Sequence, residues 1–296
     1  MTTTAHSFVS VRSERTALRY APYVLLLLAF ALLFAQPARL LVRDWWNDPE
    51  AGHGLLLAPL SLWLGWRAGL LRETRAQPWL GSIVLGGAVL LRYVSGLAAE
   101  LFTMRLSMIF AAAGIVLFFW GWRQLTHWWL SFVLFMLSVP VPAVLTTALA
   151  LPLQFRASAM GAWLLASRHV PVHLSGNIIS LPGRQLFVTE ACSGLRSLTA
   201  LLSLGVLVGG LWLRSPVSRA LIILAAIPVA MVVNSVRVFM TGFLVYYVSP
   251  SLGEGFMHLS EGWLLFVVAF GILSSFTWLT AQVENRFLSP RDPSHD

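Results

Sequence analysis

Lysine is missing from this chain altogether, so its 20 basic residues other than histidine are all arginine. Charge of either sign is scarce: Asp, Glu, Lys and Arg make up 11% of the residues, against about 25% in soluble domains. With 57% hydrophobic residues and a mean hydropathy of +0.76, that scarcity excludes an ordinary soluble fold and identifies an integral membrane protein. Cysteine occurs once, which excludes an internal disulfide and argues against a cysteine-based zinc site. No metal and no cofactor is indicated. There is no contiguous basic run, so the net charge of +8 does not read as a nucleic-acid surface. The arginines instead punctuate apolar stretches, as topology signals do. Internal repeats, low-complexity segments and a second soluble domain are also absent.

What is present is a series of long apolar runs. A membrane span takes about 20 mainly apolar residues. The runs that qualify are roughly 20–42, 54–71, 79–97, 102–122, 128–149, 195–213, 221–248 and 261–281. The expected fold is an all-α integral membrane protein of about eight transmembrane helices, with 13 tryptophans suited to interfacial belts. Residues 1–19 form a basic N-terminal segment like the start of a signal peptide. The run after it is long enough to remain as a span and shows no clear cleavage site. Residues 20–283 then form the membrane domain, and the polar stretch 284–296 reads as a disordered tail. Pro140-Val141-Pro142 falls inside the fifth run, where two prolines force a kink or a break. Residues 151–169 carry Gln154, Arg156 and Arg168, which fits an interfacial amphipathic helix better than a span.

One stretch reads as strands. Asn177–Leu181 and Gln185–Thr189 flank Pro182-Gly183, a pair suited to a type II turn. The expectation is a small β-hairpin just ahead of the single cysteine, Cys192. Eight spans and the positive-inside rule put Arg12, Arg15, Arg19, Arg67, Arg72, Arg75, Arg123, Arg214, Arg219, Arg286 and Arg291 on the cytoplasmic face. Both termini are then cytoplasmic. Cys192, the outer part of the seventh run and the loop after it face the opposite side.

That side collects the residues with chemistry. Ser193 reads as a helix N-cap, which sets Cys192 against the positive end of the following helix with Arg196 one turn on. A thiol so placed loses its proton more easily than a free one; the alternative is a small buried residue. A serine nucleophile at Ser193 is disfavoured because capping already accounts for its hydroxyl. Glu190 either orients a partner or pairs with an arginine, since an acid beside a thiol opposes thiolate formation. Arg237 lies inside the seventh run, a costly position normally kept for a partner, a cavity or a function. Asn234, one turn earlier, is placed to fix it. His258 stands just before the last run; His53 begins the second run or lines the same outer cavity. Cysteine, histidine and arginine are the parts of acyl transfer through a thiolate: nucleophile, proton carrier and oxyanion stabiliser.

The blocks Glu190-Ala-Cys192-Ser-Gly-Leu-Arg196, Asn234-Ser-Val-Arg237 and His258-Leu-Ser-Glu-Gly262 resemble the signature blocks of the exosortase/archaeosortase family. His53-Gly54-Leu-Leu-Leu-Ala-Pro59 resembles its early histidine-glycine block, so the likeness runs from about His53 to Gly262. The resemblance implies a multispan cysteine transpeptidase with Cys192 as nucleophile, Arg237 as essential cation and His258 as proton-transfer partner. It implies protein substrates anchored in the bilayer by C-terminal sorting signals: a Pro-Glu-Pro-type motif, a transmembrane helix and a basic tail. It also implies a bacterial inner-membrane location linked to exopolysaccharide systems. Some relatives carry an extra soluble C-terminal domain, a role left here to a separate accessory protein. The alternative function is a polysaccharide polymerase, ligase or export component acting on lipid-linked sugars, which needs no thiol. A passive transporter is disfavoured because the polar residues form no path across the membrane.

Overall fold

Proline and glycine decide where the apolar runs become separate helices. A computed structural model of the chain describes residues 5–48, 50–188, 195–249 and 256–287, with side chains described except at 5–23, 143, 149, 195–197, 256–263 and 287. The elements in order are α1 (Ala5–Asn47), α2 (Gly54–Ala68), α3 (Pro78–Leu97), α4 (Leu101–His127), α5 (Trp129–Leu137) and α6 (Ala143–Ser167). A small sheet follows, β1 (His173–Ser175), β2 (Ile178–Leu181) and β3 (Arg184–Phe187), and then α7 (Leu195–Trp212), α8 (Pro216–Tyr247) and α9 (Phe256–Phe287). This is an all-α membrane protein with one minor sheet.

Among the described residues, five helical segments are long and apolar enough to cross a bilayer: Val24–Asn47, Pro78–Leu97, Leu101–His127, Pro216–Tyr247 and Leu264–Arg286. Eight were expected, and the difference lies in the other three runs. The second ends early at Gly69, whose φ of +68° only glycine adopts without strain, leaving α2 with 15 residues. The fifth is cut after nine residues of α5, because Pro140 and Pro142 lack the N–H that would continue the helix. What remains of it fuses with the segment expected at the interface, giving the single 25-residue α6. The sixth becomes α7, 18 residues long, of which Leu198–Trp212 has described side chains. At the far end, the helix expected to stop near Ala281 continues to Phe287, through the start of the expected tail.

The chain divides into two units. The first is built on α1, α3 and α4. Glycines let α3 and α4 touch closely: a Cβ on Gly81 would lie 2.5 Å from the backbone of Phe118. Arg92 donates to Gln36 Oε1 at 3.1 Å, tying α3 to α1. Arg105, buried in α4, pairs with Asp44 of α1. Glu100 caps α4, accepting the backbone N–H groups of Phe102 (3.0 Å) and Thr103 (2.7 Å) and the Thr103 hydroxyl.

The second unit holds α2, α5 to α9 and the sheet. Leu57 of α2, Leu134 of α5 and Val206 of α7 form one core cluster. Gln124 is fully buried and clamps the end of α2, donating to Gly69 O and accepting from the Leu71 N–H. The sheet is antiparallel in order β1-β2-β3, a three-stranded meander where a two-stranded hairpin was expected. The short β1 escaped notice because three residues carry too little alternation to register as a strand. Between β2 and β3, Pro182 fixes a negative φ and Gly183 has φ +77°, the combination of a type II turn. Ile179, Leu181 and Val188 bury against Ala157 and Leu165 of α6 and Val238 and Val245 of α8.

Candidate active site

Three helices build the candidate site, and their register can be followed contact by contact. Leu213, just after α7, accepts from Arg219 of α8 at 2.8 and 3.0 Å; Gly209 faces Arg219, and Gly205 faces Ile222. Successive turns back along α7 meet successive turns forward along α8, so the two are antiparallel. Gly205 also faces Leu273 of α9, and Glu284 near the end of α9 accepts the N–H groups of Arg214 (2.9 Å) and Ser215 (3.1 Å) just after α7. Hence α9 runs parallel to α7. The polarity of Glu284 suggested a tail, but the carboxylate is buried because it satisfies donors at the α7–α8 turn.

Leu201 of α7, Asn234 and Arg237 of α8, and Leu265 and Phe266 of α9 line a small cavity of about 30 Å³. That volume accepts about two waters, not a peptide. Asn234 is buried and Arg237 half-buried. From the layer of Gly205, Ile222 and Leu273, Arg237 lies 15 residues along α8, His258 lies 15 back along α9, and Leu195 lies 10 back along α7. At 1.5 Å per residue these steps are about 22 Å for Arg237 and His258 and about 15 Å for Leu195, all toward the same end of the bundle. The backbones of Arg237 and His258 therefore share one level, and the first residue of α7 stops about 7 Å short of it. Arg196 is the second residue of α7 and also belongs to that end. The side chains of Arg196 and His258 are not among those described. Glu190, Cys192 and Ser193 lie outside the described residues.

His53 occupies the N-cap position of α2, and its ring Nε2 lies 3.2 Å from Leu137 O at the end of α5. Leu130 of α5 faces Gly210, and Leu134 clusters with Val206, so α5 points toward the N-terminal end of α7. His53 thus begins α2 and docks on α5 rather than lining the Arg237 cavity. The cavity's apolar wall, Leu265 and Phe266, went unread in the sequence because an apolar residue in a span carries no sign of which face it takes. No group of three or more His, Cys, Asp or Glu able to hold a metal occurs among the described residues.

A multispan helical membrane protein whose Asn234 and Arg237 line a small cavity among three helices defines a class of intramembrane protein. Residues 45–275 match the model of the family described as transmembrane exosortase (Exosortase_EpsH), and the chain belongs to that family. No curated protein and no solved structure matches the chain.

Proposed function

We propose that this protein is a membrane cysteine transpeptidase that cleaves C-terminal sorting signals at the extracytoplasmic face. The observation that carries the reading is the common level of Arg237 and His258, toward which α7 runs back into the segment holding Cys192. α8 supports the siting. Its first turns carry Arg219 stacked 4.8 Å over Trp129, an arrangement suited to a membrane interface. Arg237 lies 21 residues beyond Pro216, about 31 Å, close to the ~30 Å thickness of the hydrocarbon core. Its guanidinium then belongs at the outer boundary, where water and a substrate helix terminus meet.

In this reading the Cys192 thiolate attacks a peptide carbonyl carbon, and the oxyanion forms beside Arg237. The C–N bond breaks, the leaving amine takes a proton from the His258 imidazolium, and the C-terminal helix and basic tail depart. An amine or water, deprotonated by the neutral imidazole, then attacks the thioester and releases the thiol. Glu190, Arg196 and Asn234 are positioning residues, and His53 supports the α2–α5 junction. Eight membrane crossings, with α2, α5–α6 and α7 completing the set, place both termini in the cytoplasm of a bacterium's inner membrane. Substrates carry the Pro-Glu-Pro-type motif, and a separate accessory protein supplies any soluble-domain role.

The test is Cys192→Ala in cells that also express a tagged protein with a Pro-Glu-Pro tail, with wild-type processing established first. The expected outcome is shortening by wild type and none by the variant. Equal shortening by both would make Cys192 structural and favour the polysaccharide-pathway reading.

A further inference from the structure

Among the described residues, β3 is an edge strand with an open outer side. Its register on β2 pairs Leu181 with Arg184 and Ile179 with Leu186. A two-residue turn makes the pair that closes it a hydrogen-bonded one, and hydrogen-bonded and open pairs then alternate. Arg184 and Leu186 therefore direct their backbone groups to β2, and Gln185 and Phe187 direct theirs outward. The bond from the Val188 N–H to Asn177 O, 3.0 Å, continues this alternation. Among the described residues no partner meets the outward groups of Gln185 and Phe187. α6 packs on β1 and β2, which leaves β3 as the far edge. Arg184 and Gln185 are exposed, and Phe187 is 59% exposed. Natural sheets usually blunt such edges with charge, proline or a covering element, and unpaired backbone groups do not face hydrocarbon. This edge belongs in water or against a partner.

Two features specify the partner. Residues 143–188 contain no Asp or Glu, and Arg156, Arg168 and Arg184 are all exposed. The described residues of α6 and the sheet thus carry positive charge only, which suits an acidic chain. The strand also leads, through Val188, into the segment carrying Cys192 four residues later. An extended chain of that length reaches at most about 14 Å.

We propose that an extended, acidic segment of the substrate adds to β3 as a fourth strand, held by the outward N–H and C=O groups of Gln185 and Phe187. This rests on the reading of Cys192 as nucleophile, because the added strand is what delivers a carbonyl to it. Strand addition binds through main-chain hydrogen bonds at alternate residues of the incoming peptide.

The experiment uses the full chain in proteoliposomes. The substrate is a synthetic peptide with a Pro-Glu-Pro motif and an apolar helix, N-methylated at one amide at a time. Binding is followed by cross-linking from a photoreactive residue at position 187, and cleavage by peptide size. Methylation is expected to weaken binding at alternate positions only, by about five- to tenfold for each bond lost. Gln185→Pro removes an outward N–H without touching the β2–β3 bonds; it should raise KM about tenfold with Tm retained. A uniform or absent methylation pattern, or cross-links to a second copy of the chain in place of peptide, would overturn strand addition. Cys192→Ala separates the two readings: it should still cross-link with the same alternation while cleavage stops. If it cleaves like wild type, the nucleophile assignment fails and the cross-link pattern alone decides the docking edge.

Discussion

At the residue scale, Arg237 is the clearest case of a side chain whose position argues for its chemistry. A half-buried guanidinium in a mostly apolar helix beside a small cavity is an expensive feature for packing alone. If it stabilises an oxyanion, Arg237→Gln should lower processing by about 10²–10³-fold while the melting temperature of the purified protein stays within a few degrees. Arg237→Lys should restore little, because an ammonium does not reproduce the planar donor fork. Full activity in the glutamine variant would remove the residue from the mechanism. Glu100 poses a stability question instead. Burial works to raise its pKa, but hydrogen bonds from the Thr103 side chain and the Thr103 and Phe102 N–H groups, aided by Arg105, hold it below the ordinary 4.5. A depressed carboxyl stabilises the fold above its unfolded pKa, and that stability fades as pH falls from about 4.5 through the lower folded value. Thermal melts in detergent from pH 7 to pH 3 should therefore show wild type losing more stability than Glu100→Gln across the acidic range. Parallel curves for the two proteins would count against the assignment.

At the element scale, the turn between α7 and α8 is held by a residue from a third helix. Glu284 of α9 accepts the N–H groups of both Arg214 and Ser215, while Ser215 itself caps α8 by accepting the Val217 N–H. Truncating Glu284 to alanine leaves two partly buried donors without their acceptor, at a cost of up to about 1–3 kcal/mol for each group left unsatisfied. Chemical unfolding should show Glu284→Ala clearly destabilised and Glu284→Gln, which keeps one carbonyl acceptor, affected less. Equal stability of all three would mean that water replaces the carboxylate. This contact was invisible in the sequence, where a glutamate at the start of a polar stretch reads as solvated. The type II turn at Pro182-Gly183, by contrast, was legible because proline and glycine fix local dihedrals whatever surrounds them.

At the scale of the whole molecule, the proposed topology puts the sheet and the cytoplasmic end of α8 on opposite sides of the bilayer. Ser175 on β1 and Val217 at the start of α8 are both exposed and suit a labelling test. In a Cys192→Ala background, Ser175→Cys should react with a membrane-impermeant maleimide in cells whose outer barrier alone is opened. Val217→Cys should react only after the inner membrane is permeabilised. The reverse pattern would invert the orientation and move the candidate site to the cytoplasm.

The sequence by itself determined that the chain is a helical membrane protein and where its Pro182-Gly183 turn and its Pro140–Pro142 break fall. Composition and local dihedral preference act within a few residues and need no knowledge of the fold. Only the tertiary structure decided that the rest of the fifth run joins the following segment as α6, that a buried Glu284 holds the α7–α8 turn, and that Asn234 and Arg237 share a cavity with Leu201 and Phe266. Those outcomes depend on helix register and facing. In uniformly apolar helices the sequence pattern does not distinguish the face toward lipid from the face toward protein.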